Sequence, residues 1–157
     1  MSGGARARSG HVDEPGEVQL PADMPEDAHR FLSALSPAQA QRARFAFEDD
    51  ERLDWHYIPR PRRGLPLGEL TDAQRHLAYG FLATALRRRG LIKGSTIMAL
   101  EQVLHEREHG HGAFARDAGA YFLTVFGEPS MHSTWGWRLE GHHLSLNLTL
   151  VGGTHPV

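Results

Sequence analysis

Leucines at 144, 146, 148 and 150, separated by Ser145, Asn147 and Thr149, leave the C-terminal part of this chain little structural choice. A two-residue period is that of a half-buried β-strand, with leucines toward a core and polar side chains on the other face. Carried backwards unbroken, the phase puts His143 beside Ser145 and Asn147, and Glu140 and His142 on the leucine face. A bulge at Gly141 would change this, since glycine inside a strand often marks one. The expected strand therefore runs from Trp135 to Leu150 and contains a carboxylate, paired histidines and two tryptophans.

A chain of 157 residues suffices for one domain with a sizeable core. Lys and Arg number 17 against 19 Asp and Glu, for a formal charge of −2, so no basic excess argues for nucleic acid. Without cysteine there is no disulfide, thiolate catalysis or cysteine-ligated metal, and any metal must use histidine and carboxylate. The 11 histidines are an unusually large share. No apolar run approaches the ~20 residues that span a bilayer, and the N-terminus lacks a signal-peptide core, so a cytoplasmic protein is expected.

Residues 1–24, rich in Gly, Pro, Ser and charge, are expected to form a disordered leader, and 25–157 one domain. Phe31, Leu32 and Leu35 share a helical face. Ser36-Pro37-Ala38-Gln39 is a capping box opening a second helix that ends at the acidic run Glu48–Glu51, expected to be a solvated turn. Leu53–Pro59, short, aromatic and ended by proline, is expected to be a strand or an extended segment. The basic loop Arg60–Pro66 could bind an anionic group, although solvated arginines are the commoner explanation. Thr71 to Gln74 is a second capping box, and its helix is expected to carry Arg87, Arg88 and Arg89 at its end and to stop at Gly90. A further helix over about 95–109 is followed by a β-rich run, Tyr121–Phe126. Helices first and strands later predict an α+β fold with antiparallel pairing between about 120–126 and 137–151. Leu150–Val157 reads as a turn toward another strand. An alternating strand at a sheet edge is a route to self-association, and the domain is expected to be incomplete at its C-terminus.

Two constellations could carry chemistry. Glu101, His105 and Glu108 form one helical stripe, and His105-Glu-Arg-Glu-His109 satisfies H-E-x-x-H, the pattern of helical zinc sites. Gly110 and Gly112 end that helix at its second histidine, so a solvated, charged helix end is the simpler reading. The other set is Glu140, His142 and His143, with His56 or His132 joining from elsewhere. Adjacent histidines on a strand face opposite ways, which limits a chelate, so His143 with Ser145 and Asn147 makes the better polar set. Structural hydrogen bonds at the strand's start would explain the histidines equally well. Trp135 and Trp137 can wall a pocket beside them or serve as core anchors.

The chain resembles the bacterial domain-of-unknown-function family 3500. The resemblance rests on Trp55-His-Tyr-Ile-Pro59, Arg63-Gly-Leu65, Leu70-Thr-Asp-Ala-Gln74, Gly90-Leu-Ile-Lys93, Ile97-Met98, Leu100-Glu101, Tyr121, Phe126-Gly-Glu-Pro-Ser130, Trp135-Gly-Trp137, Glu140-Gly-His-His-Leu144 and Asn147. It implies a longer protein, of which this is the N-terminal half, and supplies no function. It does place His56, Gln74, Glu101, Trp135, Glu140, His142, His143 and Asn147 at motif positions, but not His105, His109, His111 or His132. The resulting expectation is part of a metal-dependent enzyme acting on a small molecule, hydrolysis slightly favoured over oxidation. Glu140 and His143 would be catalytic, and a divalent metal would be held by His142, His143 and Glu101. Trp135, Trp137, Asn147, His56 and Gln74 would contact substrate. A non-catalytic small-molecule-binding module, or a fragment inactive without its other half, is the alternative.

Overall fold

The computed structural model describes residues 23–86, 88–108, 117–153 and 155–157. Helices α1 (Met24–Ser33), α2 (Pro37–Ala43), α3 (Asp72–Ala85) and α4 (Arg88–Arg107) precede most of a six-stranded mixed sheet, an α+β fold. Both capping boxes form: the Ser36 side chain accepts from Gln39 N–H and that of Thr71 from Gln74 N–H, with the glutamines reciprocating. These caps satisfy helix-end donors locally, which is why they were legible.

The sheet is built on β3 (Phe122–Phe126), β4 (Trp135–Gly141) and β5 (Leu144–Val151), antiparallel in sequence. Two short strands share the outer edge of β3: β1 (Arg44–Phe45), parallel to it, and β2 (Leu65–Pro66), antiparallel. The Gly152–Gly153 turn leads to β6 (His155–Pro156), which pairs with Leu150 and Val151. Phe81 of α3 bridges Phe31 of α1 to Trp135 and Trp137, so α1 and α3 cover the face formed by Leu123, Val125, the tryptophans and Leu139. All seven residues of β4 are buried. Its other face carries Arg138 and Glu140 and is covered by the 46–64 segment, which lies close enough that a Cβ on Gly64 would come 2.5 Å from Thr124 Oγ1.

Several expectations are corrected. The second helix stops at Ala43 and gives way to β1, because Arg44 and Phe45 find backbone partners beside Val125 and Phe126. The acidic run is a turn and a 3₁₀ helix (Asp50–Arg52), and Glu51 is buried rather than solvated. Residues 53–59 contain no strand. Gly90 terminates nothing: it lies in the first turn of α4, with Arg88 and Arg89 ahead of it. His142 and His143 are not strand residues; they are the turn between β4 and β5, so Gly141 pairs with Leu144 and Glu140 with Ser145. A two-residue turn mirrors the register, which moves Glu140 to the polar face rather than the leucine face.

Candidate metal centre

His143 takes φ +59°, the one non-glycine positive φ among the described residues. Left-handed backbone is costly for a residue with a Cβ, and such outliers concentrate at functional sites. In this turn the rings of His142 and His143 stack, with centroids 3.8 Å apart. Helix α4 packs beside β5, bringing the buried Glu101 to the turn, where its Oε1 lies 2.8 Å from His142 Nδ1. One donor atom from each of Glu101, His142 and His143 falls within a 4.8 Å cluster. That is a carboxylate and two imidazoles, the donor set of three-ligand sites that keep positions open for water or substrate.

The turn is braced from both sides. Tyr121, fully buried, donates from its hydroxyl to His142 O at 3.0 Å, and its ring lies against Gly141, where an added Cβ would meet it at 2.4 Å. Burial, reinforced by the charge of Glu101, pushes the Tyr121 hydroxyl up to about 12, so it remains a donor at neutral pH. From the other side, Tyr57 O accepts from His143 N–H at 2.8 Å. Arg62 donates to the carbonyls of His56, Ile58, Arg60 and Gly141. Burial lowers its pKa, and the nearby Glu140 carboxylate opposes that shift.

Glu140 itself is held in a buried ion cluster. Its Oε2 accepts from His56 N–H at 2.9 Å, and its Oε1 lies 3.4 Å from Arg138 Nε and 3.8 Å from Arg62 Nε. Arg138 in turn donates to both the carboxylate and the main-chain carbonyl of Glu51. Glu140 thus lines a different cavity from the cleft beside Glu101 and His142, with Arg62 bordering both. His56 lines a cavity of about 230 Å³ with Glu140, Asp54 and Arg60–Arg63. Its Nε2 lies 2.8 Å from Asp54 Oδ1, and this hydrogen bond lowers the Asp54 pKa.

Other expected site residues lie elsewhere. Trp135 and Trp137 wall no pocket beside the histidines; their side chains belong to the core under α3, on the opposite face from Glu140. Gln74 is engaged by Thr71 N–H, Ala34 O and Gln39 within the helix-capping region. Asn147 is exposed, donates to Ser145 Oγ and borders a cleft of about 300 Å³ with Trp55, Gly136 and Thr149, so it shares a face with Arg138 and not with His143. On α4, His105 is exposed, and His109 and His111 lie outside the described residues. Tyr121 was not singled out as a site residue by the sequence, and Arg62 stood out only as part of the basic Arg60–Pro66 loop; their contacts with the histidine turn arise from long-range packing.

A cleft of about 240 Å³ opens beside the cluster, lined by Glu101 and His142 together with Pro59, Arg60, Arg62, Asp117, Ala120 and Phe122. Among the described residues, no helix is long and apolar enough to cross a membrane. No curated protein and no solved structure matches the chain significantly. The family model described as "Protein of unknown function (DUF3500)" matches residues 18–157, nearly the whole chain, and the chain belongs to that family.

Proposed function

We propose that Glu101, His142 and His143 bind one divalent cation and that this centre serves hydrolysis of a small molecule held in the adjoining cleft. The observation that carries the reading is the convergence of three donor atoms within 4.8 Å, from a buried helical carboxylate and a strained turn. Three protein ligands leave open positions, and a divalent cation there would lower the pKa of bound water and polarise a carbonyl or phosphoryl group. The cleft, at about 240 Å³, is smaller than the ~300–1,000 Å³ of drug-sized pockets, which favours a small substrate. His143 acts here as a ligand. Glu140, enclosed by two arginines, serves as a fixed counter-ion that holds the 54–62 segment against the turn.

Titration calorimetry with Zn²⁺, Mn²⁺ and Fe²⁺, backed by elemental analysis, tests this. One equivalent should bind, and Glu101→Gln and His143→Ala should each weaken it by at least about tenfold, the scale at which even outer-shell changes act. Selectivity for Fe²⁺ would move the reaction class to oxidation. Absence of stoichiometric metal, or affinity indifferent to both substitutions, would reduce the site to a hydrogen-bonded helix–turn contact and leave the binding-module reading in its place.

A further inference from the structure

Resting on that metal reading, we infer that the small molecule carries an oxyanion, a carboxylate or a phosphate, and that Arg60 grips it. Two arginines line the cleft beside Glu101 and His142, and they are not equivalent. Arg62 is spent on architecture: its side chain is 5% exposed and its terminal nitrogens donate to four main-chain carbonyls. The Arg60 side chain is 38% exposed, and its one ion-pair contact among the described residues is 3.5 Å, to Asp54 Oδ2. That distance is the outer limit of a hydrogen bond, and the same carboxylate is engaged more closely by His56 at 2.8 Å.

The main chain of Arg60 is nevertheless fixed. Its carbonyl accepts from Arg62 Nη1 at 3.1 Å, and it stands between Pro59 and Pro61. Proline following a residue confines that residue to extended backbone, so the guanidinium swings from an anchored base. A planar fork on an anchored base suits two-pronged recognition of a carboxylate or phosphate, with little ordering left to occur on binding. The remaining acidic group of the lining, Asp117, already accepts from Gly119 N–H at 2.7 Å. With a divalent cation on Glu101 and the histidines, the cleft carries a net positive charge. Anion and cation should therefore bind cooperatively, each raising the affinity of the other.

The experiment uses the full chain loaded with Co²⁺, whose visible spectrum reports on the open coordination positions. Acetate and inorganic phosphate are titrated separately, which distinguishes the carboxylate from the phosphate, into wild type, Arg60→Lys and Arg60→Ala. At least one anion should bind the wild type. Arg60→Ala should weaken it by about tenfold, the loss of one charge-assisted contact, with Co²⁺ affinity in the absence of anion unchanged. Arg60→Lys, which keeps charge but not the fork, should fall between. Circular dichroism should be the same for all three, since the side chain is half-exposed. If Co²⁺ binds but neither anion does, or if Arg60→Ala leaves anion affinity unaltered, the inference is overturned and the metal reading stands. If Co²⁺ itself fails to bind, both fall together.

Discussion

The Arg62 guanidinium donates to the Gly141 carbonyl across 3.2 Å, joining the 54–62 segment to the residue that precedes the histidine turn. The same group collects the carbonyls of His56, Ile58 and Arg60, so one side chain sets the curvature of the segment and its distance from the sheet. Arg62→Ala should destabilise the chain by about 1.5–3 kcal/mol, the range for hydrogen bonds to a charged group. Hydrogen exchange gives the finer test. The His143 amide, bonded to Tyr57 O, should lose protection, while the Leu123 amide in the central sheet changes only by the global amount. Equal loss at both positions would mean that Arg62 acts on the whole fold and not on the turn.

His143→Gly separates stability from binding. Glycine accepts φ +59° without steric cost, so the fold should gain on the order of 1 kcal/mol in denaturant unfolding. Metal affinity should fall in the same variant because a ligand is gone. A protein that becomes both more stable and weaker in metal binding is what a strained ligand residue predicts. Unchanged affinity would remove His143 from the site.

Arg138 is fully buried, and its charge is matched by Glu51 and Glu140. Deleting one member of such a cluster strands its partners in a medium that solvates charge poorly. Arg138→Ala should cost about 3–5 kcal/mol, whereas Arg138→Met combined with Glu51→Leu and Glu140→Gln should recover much of it. Thermal and urea unfolding of wild type and the two variants would decide. A small loss for Arg138→Ala alone would show that water reaches the cluster.

Tyr121 makes alkaline stability informative. Its hydroxyl ionises near pH 12 in the folded chain, against 10.0 for an unperturbed tyrosine. The folded state thus retains a proton that the unfolded state releases between those values. The contribution is complete below pH 10 and is lost as pH climbs from there toward 12. Tyr121→Phe should flatten this part of the stability–pH curve and cost about 0.5–1.5 kcal/mol at neutral pH through the lost bond to His142 O. A curve that keeps its alkaline slope in Tyr121→Phe would assign the slope to another group.

What could be read in advance was whatever depends on near neighbours in sequence. The serine and threonine caps, the leucine alternation of β5 and the glycine turn beyond it are local, and each takes the form expected. The grouping of Glu101 with His142 and His143 was also legible, though not its geometry, because strand phase was carried through two residues that turn instead. Histidine is a poor marker for a left-handed turn position, where glycine or asparagine would have signalled one. Glu51 looked like one charge among four in Glu48–Glu51. Only the arrival of Arg138 from β4 distinguishes it, and no local pattern encodes that meeting.

The donor cluster at the β4–β5 turn is assembled from segments far apart along the chain, and α4 supplies Glu101 only once it lies beside β5. A chain with its hairpin formed but α4 undocked holds two of the three donors. A cation that needs all three therefore discriminates between the finished fold and its precursors, adding about 2.7 kcal/mol to native stability at a hundredfold excess over its Kd. If a cation binds there as proposed, its concentration becomes a variable of folding, and the shift of the unfolding midpoint on titration would measure its affinity for the finished fold.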